Sequence, residues 1–434
     1  MPSSKISPSS LTDWLAYLEV QHPKLIEMGL ERVNKVKRDI GLSPSFPLIV
    51  VGGTNGKGSV CRMLESILSC AGYKVGCYTS PHLLKFNERI RIQQKEADDE
   101  GLFQAFDAIN KGRLKSSTSL TFFEFGTLAA MHLFVEAHVD VAIMEIGLGG
   151  RLDAVNIFDT DCAILTSIDI DHIDYLGNTR DQIGFEKAAI FRRNKPAICA
   201  ETNLPITVLH QAENMGANFV QINKDFGFLN KENQWDFWSP SGWRYSLPYP
   251  TLRGIKQLQN ASACLTALDM LADRLPVSMN EIRQGLLAAT LPGRFQVIAN
   301  QPLVVLDVAH NPAAARTLSL NLDATKPAGY TYAVFAMLHD KDIQGVIREL
   351  KNNIDIWLVS SLDTSRGAQA DSLINEIEQA GISREKNEIQ KFSDPVSAFV
   401  FACERATKND RICIFGSFHT VGAVLQYQNI ALGK

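Results

Sequence analysis

Between residues 46 and 68 the chain reads FPLIVVGGTNGKGSVCRMLESIL, and the small and charged residues in its middle are spaced for phosphate chemistry. Gly52, Gly53, Gly56 and Gly58 allow backbone N–H groups to converge on a polyphosphate, Lys57 adds a full positive charge, and the Ser59 hydroxyl is an oxygen ligand for Mg²⁺. ATP or GTP is the ligand such a cradle suits. The usual pattern puts Ser or Thr directly after the Lys. Here Gly58 intervenes and the first glycine is displaced, which counts against a generic P-loop kinase or GTPase. The bland alternative, a turn that is merely glycine-rich, leaves the Lys and the hydroxyl unexplained.

Further chemistry-bearing residues follow other apolar runs, where open parallel sheets place their ligands. DVAIMEIGLGGRLDAVN ends in Glu145 and then turns on Gly147, Gly149 and Gly150 into Arg151 and Asp153. A carboxylate emerging beside a phosphate loop is an expected partner of Mg²⁺, and a turn cap is its ordinary alternative. AILTSIDIDHIDYLG delivers Asp169, Asp171, His172 and Asp174, and TSPHL places Ser80 and His82 in a loop. TFFEFGT begins a helix with Glu124 among Phe122, Phe123 and Phe125, a pairing that suits either a core or a flat heteroaromatic ligand. Lys187 in FEKAAIF is expected on a helix, where a solvated lysine is the default.

The elements that must position these residues alternate. Phe46 to Val51, Lys74 to Tyr78, Val139 to Ile146, Cys162 to Ile168 and Ala197 to Ala200 read as strands, with helical patterns between them such as that after Ser59 and Gly126 to Ala137. This predicts an α/β fold, a mainly parallel sheet covered by helices on both faces. Residues 223 to 250 interrupt it with aromatics among Gly, Pro and Asn, as short antiparallel strands or hairpins at an edge. Helices are expected from Ile255 to Leu275 and Met279 to Ala289, then a hinge at Thr290 to Gly293. Alternation resumes with strands at Leu303 to Asp307, Tyr330 to Met337, Ile354 to Ser360 and Arg411 to Phe415, which makes a second, smaller α/β domain. The expected domains are 1–292 and 293–434.

A chain of 434 residues exceeds one hydrophobic core. Its net charge of -4 and pI near 6.2, with no basic run, point away from nucleic acid and anionic membranes. No apolar run is long enough to span a bilayer, and the eight dispersed cysteines read as reduced thiols of a cytoplasmic protein. The first ten or so residues are expected to stand outside the fold.

Taken in order, these segments resemble the folylpolyglutamate synthase and dihydrofolate synthase family, a branch of the Mur ligase superfamily. The resemblance runs nearly end to end, through MGLERV, GTNGKGS, TSPHL, FFEFGT, EIGLGGRLDAVN, DHIDYLG, EKAAIF, LPGRF, DVAHNP and GSFHTVG. The glycine that disturbed the generic P-loop pattern is what this family shows. The implied fold is a P-loop domain of the Mur ligase central type followed by a smaller Rossmann-like domain. The implied activity is an ATP-dependent carboxylate-amine ligation: a substrate carboxylate takes the γ-phosphoryl of ATP, and the amine of L-glutamate attacks the acyl phosphate.

Carried over motif by motif, Gly56, Lys57, Gly58 and Ser59 hold phosphates, and Ser80, Glu145 and His172 hold Mg²⁺, with Ser59 a further ligand and two ions expected. Lys187 matches a lysine that family members carry carbamylated, although Ala189 stands where the family usually has Gly. Asn260, Arg294 and Asp307 match contacts to ATP, which is expected between the domains, and His310 is assigned to the reacting end of the substrate. Asp340, Lys341, Asp342, Ser417 and His419 are further expected to receive glutamate or lock closure. For the pterin of 7,8-dihydropteroate or a reduced folate, the resemblance points to Gly29 and Leu30, Phe123 and Glu124, and Leu152, Asp153 and Ala154. It also implies a monomer, and a bifunctional enzyme rather than a folylpolyglutamate synthase alone. A peptidoglycan ligase would need a UDP-sugar domain before the P-loop, where only about fifty residues stand. A nucleotide switch without ligase chemistry is the rival from another class.

Overall fold

The structure is a computed structural model and describes residues 8–24, 26–325, 329–382 and 388–431. Two compact units are formed. The first comprises Met1–His82, Phe86–Tyr249 and Leu258–Ala289, and the second comprises Leu83–Lys85, Pro250–Gln257 and Thr290–Lys434.

In the first unit, strands β1 (Leu48–Gly52), β2 (Val75–Tyr78), β3 (Ile90–Ile92), β4 (Lys95–Glu96), β5 (Val141–Glu145), β6 (Cys162–Leu165), β7 (Pro196–Cys199) and β8 (Asn218–Gln221) form one sheet, in the order β4-β3-β2-β5-β1-β6-β7-β8. From β2 to β8 all neighbours are parallel, and β3 and β4 add an antiparallel margin. Strands β1, β2, β5 and β6 are wholly buried, which explains why they are continuous apolar runs instead of alternating ones. The register sets Val51 beside Glu145 and Gly52 beside Leu165, so three neighbouring strands end at one level. A site is thereby prepared at the carboxyl edge of β1, where the chain order reverses.

Strands β9 (Gly227–Asn230), β10 (Trp235–Ser239) and β11 (Gly242–Leu247) account for the aromatic interruption. They are antiparallel as expected, but they close into a sheet of their own and do not extend an edge of the main one. Buried Trp235, Phe237 and Leu247 give that small sheet its own apolar face.

The second unit holds β12 (Gln296–Asn300), β13 (Leu303–Leu306), β14 (Thr331–Phe335), β15 (Ile356–Ser360), β16 (Glu388–Phe392) and β17 (Arg411–Phe415), ordered β12-β13-β17-β14-β15-β16, with β12 alone antiparallel. Alternate residues serve opposite cores: Val305, Ala333 and Phe335 on one face, Val304, Leu306, Tyr332 and Val334 on the other.

Element boundaries shift modestly from expectation. The P-loop helix runs Lys57–Cys70, so it takes in Lys57 rather than starting after Ser59, and the helix expected from Ile255 to Leu275 spans Gln257–Met270. Of the first ten residues, 1–7 lie outside the described residues, whereas Ser10 belongs to the fold: its hydroxyl accepts from Asp13 N at 3.1 Å and caps the Leu11–Val20 helix. No described helix is long and apolar enough to cross a membrane.

Candidate active site

The P-loop is laced to the end of β6. Thr54 N donates to Ser167 O at 2.7 Å, Asn55 N to Ser167 Oγ at 3.0 Å, and Thr166 Oγ1 to Asn55 O at 2.6 Å. This approach is open only to glycine at position 53, which has a φ of +140°; a Cβ there would lie 2.0 Å from Thr166 Oγ1. Gly56 caps the helix at a φ of +91°, and buried Asn260, from the Gln257–Met270 helix, sits beneath it, with Oδ1 2.9 Å from where a Cβ would stand. Ser59 is buried in the first helical turn. Replacing Gly53 by Ala is expected to cost about 1 to 3 kcal/mol from the backbone alone. It should also weaken nucleotide binding, and a thermal melt with and without ATP checks both.

Charge collects at this strand end. Lys57 Nζ donates to Gly53 O at 3.1 Å and Thr54 O at 3.2 Å, and lies 3.9 Å from Glu145 Oε1. Glu145, the last residue of β5, is 5% exposed, and its Oε2 accepts from Ser80 N at 3.2 Å. Lys187, near the end of the Arg180–Ala188 helix, is buried and directs Nζ to Gly53 O at 3.0 Å. Two lysines therefore meet at one carbonyl. Burial and then the Lys57 charge lower the Lys187 pKa to about 7, against the weaker pull of Asp171 and Asp153.

The expected metal ligands come from the ends of different strands. Glu145 and Ser80 share a strand end, and His172, at a φ of +52°, is one-third exposed, with Nε2 3.9 Å from Asp171 Oδ1. Among the described residues no three His, Cys, Asp or Glu side chains gather as a metal-holding group. A hard cation that retains waters and takes phosphate oxygens still fits a site offering one buried carboxylate and nearby hydroxyls.

The residues expected around a flat ring come from segments that do meet. Arg32, two residues after Leu30, donates through Nη2 to Glu124 Oε1 at 2.9 Å and also holds Glu27. The other Glu124 oxygen accepts from Thr121 N at 2.7 Å and completes a capping box on the Phe122–Glu136 helix. Phe123 is half-buried, its ring 5.9 Å from that of Tyr78 and lying against Gly147. Gly29 has a φ of +146°, and Met28 reaches the Gly149 turn. Asp153 is buried between half-buried Leu152 and buried Ala154. Its carboxylate accepts from Gly147 N, Leu148 N and Val155 N at 2.9 to 3.0 Å, so it shapes the glycine-rich turn. Burial raises its pKa to about 6 despite those bonds.

In the second unit, Arg294 stacks over Phe418 at 5.0 Å and its charge opposes the burial that raises the Asp307 pKa. Asp307 accepts from Phe295 N and Ala309 N, and His310 Nδ1 lies 2.8 Å from Val308 O with its ring 6.0 Å from Phe418. Asp342 caps the Ile343–Leu350 helix, Asp340 pairs with Arg366, and Ser417 accepts from Thr420 N at 3.0 Å; these groups have structural partners. His419 is held below its usual pKa by burial and by the Arg366 charge.

Sequence reasoning passed over Thr166 and Ser167, which brace the P-loop, although the strand-end rule that selected Asp169 covers them equally. It also passed over Arg32, inside a quoted motif, and Arg89. Arg89 carries no local signal, because its surroundings come from Phe86, Phe122 and Tyr78, brought together by the fold.

The chain is similar to known proteins over nearly its whole length. Residues 51–268 match the Mur ligase middle domain, and residues 293–418 match the Mur ligase glutamate ligase domain. A dihydrofolate synthase/folylpolyglutamate synthase of Escherichia coli is 42% identical, over 96% of this chain and 95% of its own. An E. coli structure in complex with DHPP and ADP superposes with a TM-score of 0.92 at 42% identity, covering 100% of both chains. A bifunctional folylpolyglutamate synthase/dihydrofolate synthase with Mn, AMPPNP and L-glutamate bound superposes at 0.89 with 43% identity, covering 97% of this chain and 98% of its own. By fold, motifs and end-to-end similarity, the chain belongs to the dihydrofolate synthase/folylpolyglutamate synthase family of Mur ligases.

Proposed function

We propose that this ATP-dependent glutamate ligase adds L-glutamate both to 7,8-dihydropteroate, making dihydrofolate, and to reduced folates, extending their glutamate chain. A carboxylate oxygen of the acceptor attacks the γ-phosphorus of ATP, the bond to the bridging oxygen breaks, and ADP leaves. The glutamate amine then attacks the acyl carbon, loses a proton, and expels phosphate as the amide forms. The first step brings two anions together and therefore needs concentrated positive charge. The observation that carries the reading is the charged strand end itself: Lys57 Nζ rests on the Gly53 and Thr54 carbonyls of the phosphate loop, with the buried Glu145 carboxylate 3.9 Å away.

In this reading the backbone from Gly56 to Ser59 and Lys57 cradle the phosphates, supported by Asn260, while Arg294 and Asp307 serve the nucleotide and His310 the reacting end. Glu145, Ser80, His172 and Ser59 would hold Mg²⁺, which when bound supplies charge neutralisation at the phosphates. Gly29, Leu30, Phe123, Glu124, Leu152, Asp153 and Ala154 line the pterin position, with Phe123 as its stacking face. The enzyme acts as a cytoplasmic monomer; all eight cysteines are unpaired, which supports the compartment, and a sizing measurement tests the monomer.

Lys187 is proposed to work as a carbamate. Its neutral nitrogen forms a bond to the carbon of CO₂ and releases a proton, leaving an anion suited to a metal or to Lys57. Only the neutral amine reacts, and a pKa near 7 makes about half of it available at neutral pH. Uptake of labelled CO₂ should therefore rise through about pH 7 and fall below it, where Lys187 is protonated. Lys187→Ala should lower turnover by about 10²-fold. A ¹³C carbamate signal absent from the wild type at pH 8, or an alanine variant of full activity, would falsify this role.

A further inference from the structure

Arg89 closes the short 3-10 helix Phe86–Arg89 that leads into β3. Its guanidinium is enclosed between aromatic faces, 5.4 Å from the Phe86 ring centre and 5.3 Å from that of Phe122, and Nε donates to His82 Nδ1 at 2.8 Å. No carboxylate pairs with it among the described residues. Burial pulls its pKa below the usual arginine value, with Tyr78 the largest opposing influence. The fully buried Tyr78 hydroxyl faces Arg89 and Thr127, but neither contact has the geometry of a full hydrogen bond. A half-buried cation and a buried hydroxyl lie side by side, with Glu145 and Glu88 acting on the guanidinium only from beyond ion-pair distance, and a charge withdrawn from water calls for a closer partner.

The position limits what that partner is. Tyr78 lies against Phe123, and Thr79 N donates to Arg89 O at 2.9 Å, immediately before Ser80, whose N–H bonds Glu145. Arg89 thus borders the path from the Phe123 face to the Lys57–Glu145 strand end. Its aromatic walls, Phe86 and Phe122, belong to the FFEF side, whereas the phosphate loop has its own cation in Lys57.

We propose that Arg89, with the Tyr78 hydroxyl as a second donor, recognises the carboxylate of the pteroate substrate and holds it before phosphoryl transfer. The inference rests on the ligase reading above. A guanidinium fork suits a carboxylate, and neutralising this anion lowers its repulsion from the γ-phosphate while one oxygen lone pair remains to attack.

The test compares equilibrium binding of dihydropteroate and of its carboxamide, which lacks the negative charge, to nucleotide-loaded protein. Wild type should prefer dihydropteroate. Arg89→Met should lose roughly 10- to 100-fold in affinity for dihydropteroate, little for the carboxamide, and none for ATP. Arg89→Lys keeps the charge without the fork, and should lose part of the affinity for dihydropteroate alone. Equal losses on both pteroates, or none in either variant, would assign Arg89 to bracing His82 and the aromatic cluster and overturn the proposal. A wild type that binds both pteroates equally also overturns it, without touching the ligase reading. A wild type that binds neither overturns that reading and this inference together.

Discussion

Replacing Lys57 by alanine is expected to lower glutamate-dependent phosphate release by about 10³-fold, the scale on which charged clamps act in phosphoryl transfer. Among the described residues Lys57 pairs with no anion closer than Glu145, at 3.9 Å, and its Nζ rests on the carbonyls of Gly53 and Thr54. Those carbonyl bonds are weak competitors for a triphosphate. The side chain is therefore poised to move onto a phosphate at little cost, and its loss falls on the nucleotide step. Folding should be nearly unaffected, since the lysine sits at a partly open position and holds the fold by two carbonyl bonds and a long ion pair. Retention of full activity would contradict the role, and so would a collapse of the thermal midpoint that tracks the activity loss.

The largest stability effect is expected at Glu65, in the middle of the P-loop helix. This carboxylate is 0% exposed; Arg91 Nε reaches both its oxygens at 3.1 Å, and Arg62 Nη1 reaches Oε2 at 2.9 Å. Arg91 in turn donates to Thr79 Oγ1 at 3.2 Å and Glu88 O at 2.8 Å, joining the helix to the β2–β3 hairpin and to the loop that carries Ser80. Truncation to alanine leaves two arginines beside an apolar void. The expected loss is about 3 to 5 kcal/mol, the cost of breaking a buried ion pair from one side. Glu65→Gln, which keeps acceptors for part of the network, should lose less. The two units need not unfold together, so the change belongs to the first unit's transition in a denaturant titration. A loss below about 1 kcal/mol for the alanine variant would show that the triad contributes little beyond an exposed pair.

Much of this architecture was legible because buried parallel strands leave continuous apolar runs, and their ends carry the polar residues. Val139 to Ile146 was readable as a strand ending in Glu145 for that reason, and the structure confines it to Val141–Glu145. The β3–β4 hairpin, three and two residues long and half polar, leaves no such run, so Arg91 and the Glu65 clamp could not be seen. Pairings across long separations were equally hidden: Lys187 finds Gly53 O only because the sheet order sets β6 beside β1. Asp153 and Glu124 illustrate a different limit. Residue type and motif suggested ligand contact, but their oxygens already accept from Gly147, Leu148 and Val155, and from Arg32 and Thr121. A substrate there meets carboxylates that the fold has already oriented.

The central claim is tested most directly by phosphate release from ATP and Mg²⁺, with and without L-glutamate, run in parallel with dihydropteroate and with tetrahydrofolate as acceptors. Glutamate-dependent release with both acceptors is the predicted result. Release indifferent to acceptor and glutamate, or none from folded protein, would contradict the account.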